Sequence, residues 1–135
     1  MLDPIELADR YVAVWNEPSS EVRRATVGAL WADDGMHFLQ PPDEAAKAAE
    51  RLSLVAVFQA RGHDQLTARV ERAYDEFVAP GTMTFRRHGD VARVHDVVRL
   101  GWEAVSGDAV VGWGTDVLLL DADGRIRADY QFIEA

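Results

Sequence analysis

From Thr82 onward the sequence reads only as strands and turns, and this limits the folds open to it. Thr82–His88, Val91–Val105, Val110–Leu120 and Arg125 to about Ile133 are long runs rich in strand formers. Gly89-Asp90 suits a two-residue hairpin turn with Gly at its first central position. Ser106-Gly107-Asp108 and Asp121-Ala122-Asp123-Gly124 supply two more turns. Gly101, Gly112 and Gly114 fall inside strands, where glycine marks bulges or bends.

The first half is helical. Asp3 caps a helix with Pro4 at its first position, and Ala8, Tyr11, Val12 and Trp15 share one face. Ser19 or Ser20 opens a second helix, with Val22, Thr26, Ala29 and Leu30 as its stripe, ended by Asp33-Asp34-Gly35. Met36–Leu39 reads as a short strand stopped by Pro41-Pro42. Asp43–Arg51 has helical character, and Leu54–Phe58 would serve as a strand. Gly62-His63-Asp64 opens a helix with a stripe of Leu66, Val70, Ala73, Tyr74 and Phe77. Helices grouped before long antiparallel strands give an α+β fold. The expected architecture is a curved antiparallel sheet wrapped around three helices of the N-terminal half, leaving a cone-shaped pocket. With 135 residues and 48% hydrophobic content, residues 1–135 are expected to form one domain.

Composition removes several functions. A net charge of −9 and a pI near 4.8 argue against nucleic acid and anionic membrane as partners. The absence of cysteine excludes disulfides, thiolate metal sites and a cysteine nucleophile. Met1-Leu2-Asp3-Pro4 has no basic or apolar leader character, and no apolar run approaches the roughly 20 residues that span a bilayer. A cytoplasmic protein is expected. No His pair has a convincing metal spacing, and neither a phosphate loop nor a Ser-His-Asp pattern stands out, so no metal or cofactor is expected.

Two polar residues stand out against apolar surroundings. Tyr11 lies within the first helix, and Asp116 lies within Val110–Leu120. A charged Asp among Val and Leu costs several kcal/mol unless it is paired, neutralised or hydrogen-bonded. With no Lys or Arg within four residues, Asp116 is expected to be a neutral, hydrogen-donating carboxyl. Strand alternation puts Gly112, Gly114 and Leu118 on the same face as Asp116. In the preceding strand it groups Val94, Asp96, Val98, Leu100 and Trp102, with Met83 and Phe85 across the hairpin. Asp96 is then a second carboxylate on an apolar face. Trp15, His37, Leu39, Phe58, Phe85, Leu100, Trp102 and Leu118 are the expected ligand contacts. The opposite face carries Trp113, Val117, Tyr130 and Phe132, too apolar a set to leave bare, so a homodimer is expected there.

The order of elements resembles the nuclear transport factor 2-like superfamily, which includes SnoaL-type polyketide cyclases and ketosteroid isomerase, with its cystatin-like roll. The matching segments are Tyr11-Val12-Ala13, Ala32-Asp33-Asp34, Thr115-Asp116-Val117 and Asp123-Gly124-Arg125-Ile126. By this resemblance Tyr11 and Asp116 take the positions of the isomerase's oxyanion-binding Tyr and Asp. The isomerase's general base falls at Leu39, which cannot accept a proton. A base would then come from His37, His63, Asp96 or Asp129. The resemblance implies a binder of an apolar ligand bearing a carbonyl or hydroxyl. It leaves open a small cofactor-independent enzyme (cyclase, isomerase or epoxide hydrolase type) with Tyr11, Asp116 and Asp96 as its catalytic groups.

Overall fold

Two side-chain caps start the chain's first two helices. Asp3 accepts from the Glu6 N–H at 3.0 Å, and Ser19 from the Val22 N–H at 3.2 Å. The computed structural model describes residues 2–134. Among these, α1 spans Pro4–Asn16, α2 Ser20–Leu30, β1 Trp31–Leu39, α3 Asp43–Arg51 and β2 Phe58–Arg61. Then come α4 (Gly62–Ala73), which widens into a π-helical turn over Tyr74–Val78, β3 (Thr84–Val94), β4 (Val97–Ser106), β5 (Ala109–Leu120) and β6 (Ile126–Ile133).

The strands form one curved sheet in the order β2-β1-β6-β5-β4-β3. It is mixed rather than wholly antiparallel, because β1 runs parallel to β6. The core lies between its concave face and the helices. Leu7, Tyr11 and Val14 of α1, Leu66 and Val70 of α4, and Val98, Leu100, Leu118 and Ile126 of the sheet are all buried there. This is an α+β fold of the expected kind. Among the described residues no helix is long and apolar enough to cross a membrane.

Several local expectations are corrected. The β3–β4 turn is at His95-Asp96, where His95 takes φ +54°, and not at Gly89-Asp90. Gly89, with φ +75°, instead sits where the register shifts between His88 and Ala92, forming a bulge within β3. Arg86 therefore faces Glu103 and pairs with it, where a turn at Gly89 would have set it against Arg93. Asp33-Asp34-Gly35 does not end α2. It lies inside β1, where the pairing with β6 shifts between Trp31 and Met36. Asp43–Arg51 is helical and adds an element to the expected three helices. Of Leu54–Phe58 only Phe58 is in a strand, and Leu54, Val55 and Val57 are exposed.

Candidate functional site

The site is held by three elements. Tyr11 reaches from α1 toward the sheet, Asp116 from β5 and Asp129 from β6. The hairpin register places Leu118 opposite Asp129 and Asp116 opposite Gln131, so both carboxyls stand on the concave face. All three side chains are buried. The Tyr11 hydroxyl lies 2.7 Å from Asp116 Oδ2 and 2.6 Å from Asp129 Oδ2. Trp102 Nε1 donates to Asp116 Oδ1 at 2.8 Å. Gly114 makes that last bond possible, since a Cβ there would collide with the Trp102 ring and with the Phe132 carbonyl.

Counting protons orders the cluster. Tyr11 has one proton to donate and two carboxyl neighbours. Both oxygens of Asp116 meet donors, whereas Asp129 Oδ1 has no partner among the described residues. Burial first, then the Asp116 charge, raises Asp129 well above the usual carboxylate range. This direction fits a proton held on Asp129. Asp129 then donates to the Tyr11 oxygen, Tyr11 donates to Asp116, and Asp116 is the acceptor at the end of the chain. Burial, then the charges of Asp116 and Asp129, push the Tyr11 hydroxyl well above its ordinary value, so it stays a donor.

His37 extends the cluster from β1. Its Nε2 lies 2.7 Å from Gln131 Oε1 and 3.8 Å from Asp129 Oδ2. Burial lowers it from 6.5 to about 4, so the ring is neutral at pH 7. His37, Asp116 and Asp129 bring ligand atoms within 4.8 Å of one another, the one donor set of this kind among the described residues. The Tyr11 hydroxyl, however, bonds to both carboxyls. A cation would have to displace it, so the geometry is that of a hydrogen-bonded cluster.

Above the cluster opens a cavity of about 350 Å³. Tyr11, Trp15 and Val12 of α1 form one wall, and Arg69, Ala73 and Phe77 another. The sheet contributes Leu39, Phe85, Trp102, Gly112 and Gln131. Of the expected contacts, Trp15, Leu39, Phe85 and Trp102 line it together with Tyr11. Leu100 and Leu118 are fully buried core residues and do not line it. His37 lies behind Gln131. Phe58 is half exposed on the edge strand β2, away from the cavity. Asp96 is displaced furthest. It sits in the β3–β4 turn, its carboxyl 3.1 Å from the exposed His95 ring, which holds it below its ordinary value. Alternation in β4 holds for Val98, Leu100 and Trp102, but it fails at Asp96 because the strand begins at Val97.

Sequence reasoning missed Arg69 and reached Asp129 only as one of several possible bases. Arg69 comes three residues after Leu66 and four before Ala73, within the apolar stripe of α4, which was the available signal. For Asp129 the obstacle was register. Counting regularly from the Asp121–Gly124 turn would set it opposite Val117; the register shift between Leu119 and Leu120 moves it opposite Leu118, onto the face of Asp116.

No family model and no curated protein matches the sequence. Solved structures do. A candidate isomerase of the SnoaL-like family from Agrobacterium tumefaciens str. C58 is 28% identical, with 98% of this chain and 97% of that chain covered and a TM-score of 0.79. A SnoaL-like protein from Burkholderia thailandensis E264 is 13% identical over 98% and 95% of the two chains, at a TM-score of 0.67. A candidate polyketide cyclase from Sinorhizobium meliloti is 9% identical over 97% and 100%, at 0.60. Helices seated in a curved sheet, with a polar cluster under an apolar cavity, define a conical α+β protein. The fold is that of the nuclear transport factor 2-like superfamily, shared with proteins described as SnoaL-like and NTF2-like.

Proposed function

We propose that this protein binds an apolar small molecule bearing a carbonyl or hydroxyl, and that it does so without catalysing an isomerisation. The observation that carries this reading is the cavity of about 350 Å³, walled by Trp15, Phe77, Phe85 and Trp102, with the Tyr11 hydroxyl beneath it. Mostly apolar walls with few polar groups suit a small-molecule site. Two features weigh against turnover. Leu39 lines the cavity where the related isomerase carries its base. The Tyr11 O–H and Trp102 N–H are already engaged with Asp116, so a ligand oxygen competes with Asp116 for the Tyr11 proton. An oxyanion site works best when its donors are free for the charge that develops.

A second reading rests on the buried proton of Asp129. Passed through Tyr11, it could serve as a general acid for a cyclase- or isomerase-type enzyme. The candidate isomerase from Agrobacterium tumefaciens keeps that reading in view. The neutral fluorophore N-phenyl-1-naphthylamine tests the first. Its fluorescence should rise saturably, at one probe per chain. Gly112→Leu, which puts a side chain into the cavity, should abolish the rise while preserving the fold by circular dichroism. Equal binding by folded Gly112→Leu would show that this cavity is not the site.

A further inference from the structure

Among the described residues, one cation faces the cavity. Arg69 of α4 lines the wall, and its guanidinium lies 5.7 Å from the centre of the Trp15 ring. Arg69 has no hydrogen bond or ion pair among the described residues. The acidic groups acting on it at longer range are Tyr11, Glu76 and Asp129. Glu76 is exposed, and burial raises Asp129 well above the usual carboxylate range. Burial lowers the guanidinium from its usual value, yet an arginine keeps its charge at neutral pH. A partly buried cation without a counterion is costly, and five N–H donors are left to solvent or to a ligand.

Trp15 backs the Arg69 guanidinium. Its ring is 8% exposed and lines the same cavity, while its indole Nε1–H has no surface open to that space. A planar cation with an unoccupied fork suits a carboxylate, which accepts two parallel N–H bonds. The complement is a single negative charge. A dianion would leave charge unmatched close to Asp116. The remaining walls, Phe77, Phe85 and Trp102, ask for an apolar body. In a chain of net charge −9, a cation turned inward also stands against the overall field.

We infer that the cavity takes an apolar monocarboxylic acid, its carboxylate held by the Arg69 guanidinium and its body packed along Phe77, Phe85 and Trp102. This rests on the apolar-cavity reading and narrows its ligand class. It leaves Tyr11 to meet a second oxygen, a carbonyl or hydroxyl further along the molecule.

Calorimetric titration separates the two readings. The probes are 4-phenylbutyrate and octanoate, each compared with its alcohol, 4-phenylbutan-1-ol and 1-octanol. In the wild-type protein each acid should bind about tenfold more tightly than its alcohol. Arg69→Gln should bring that ratio to about one and leave the alcohols unaffected, which also reports an intact cavity. Arg69→Lys, a point charge in place of a fork, should retain part of the preference. Equal affinity for acids and alcohols in the wild type, or a preference that survives Arg69→Gln, overturns the carboxylate assignment and leaves the apolar cavity standing. If neither acids nor alcohols bind, both readings fall.

Discussion

Asp116 and Asp129 share Tyr11, but their other partners differ, and so should their mutants. Asp116→Asn replaces one of two accepting oxygens with an NH2 group. That group would face the Tyr11 O–H or the Trp102 N–H, donor against donor. Leaving one buried donor unpaired costs about 1–3 kcal/mol, so Asp116→Asn should lose stability of that order at pH 7. Asp129→Asn keeps a donor for the Tyr11 oxygen and removes a buried acid. The sign follows from Asp129 being raised in the folded state. Below about pH 3.9 the wild-type acid is protonated folded and unfolded. As pH rises from there toward the folded value, the unfolded chain releases the proton and the folded one retains it, so wild-type stability falls. Asp129→Asn should therefore match or exceed the wild type at pH 7, with an advantage that grows from pH 4 upward. Urea unfolding across that range checks both variants. A loss of several kcal/mol in Asp129→Asn at pH 7, beside an unaffected Asp116→Asn, would put the proton on the other carboxyl.

At the scale of elements, α1 must be fixed against the sheet for Tyr11 to reach two strands. Asn16, the last residue of α1, does this from its C-terminal end. Its Nδ2 donates to the Phe85 carbonyl at 2.6 Å, and its Oδ1 accepts from the Phe85 N–H at 2.8 Å. One amide thus extends the edge of β3 as a further strand would. Asn16→Ala should cost about 1–2 kcal/mol and should weaken binding in the cavity that Phe85 lines, as thermal unfolding and N-phenyl-1-naphthylamine titration would show. A variant with unchanged melting would mean that water replaces the amide without loss. Helix caps and apolar stripes made α1, α2 and α4 legible in sequence, because both signals are local. The β3–β4 turn was not, since a glycine at positive φ serves a bulge as well as a turn, and the actual turn places the non-glycine His95 there. The parallel pairing of β1 with β6 joins segments about 90 residues apart, which periodicity does not report. In the site, Tyr11 and Asp116 were legible as polar residues in apolar company. Arg69 was not, because a charged residue on a helix reads as solvent-facing until a cavity is known to lie beside it.

For the whole molecule, the sheet's two faces need different cover. The helices and the cavity account for the concave face. On the convex face Trp113 and Phe132 are nearly half exposed, Tyr130 stacks on Phe38 at 5.1 Å, and Val117 lies among them. Among the described residues no helix covers them. Arg86 and Glu103 pair beside this patch, with His88 3.5 Å from Glu103, so charges of both signs border it. A twofold interface needs a patch that complements itself, and apolar rings edged by paired charges provide one. We propose that two copies associate through this face. Sedimentation at micromolar concentration should then give about 30 kDa, twice the 15.0 kDa chain. Trp113→Glu adds a charge to each side of a complex whose chains already carry −9 each, and should release monomers that are folded and still bind N-phenyl-1-naphthylamine. The dimer should strengthen with salt, which screens that repulsion while leaving the apolar contact intact. A wild-type mass near 15.0 kDa under these conditions would show that the convex face stays bare at such concentrations.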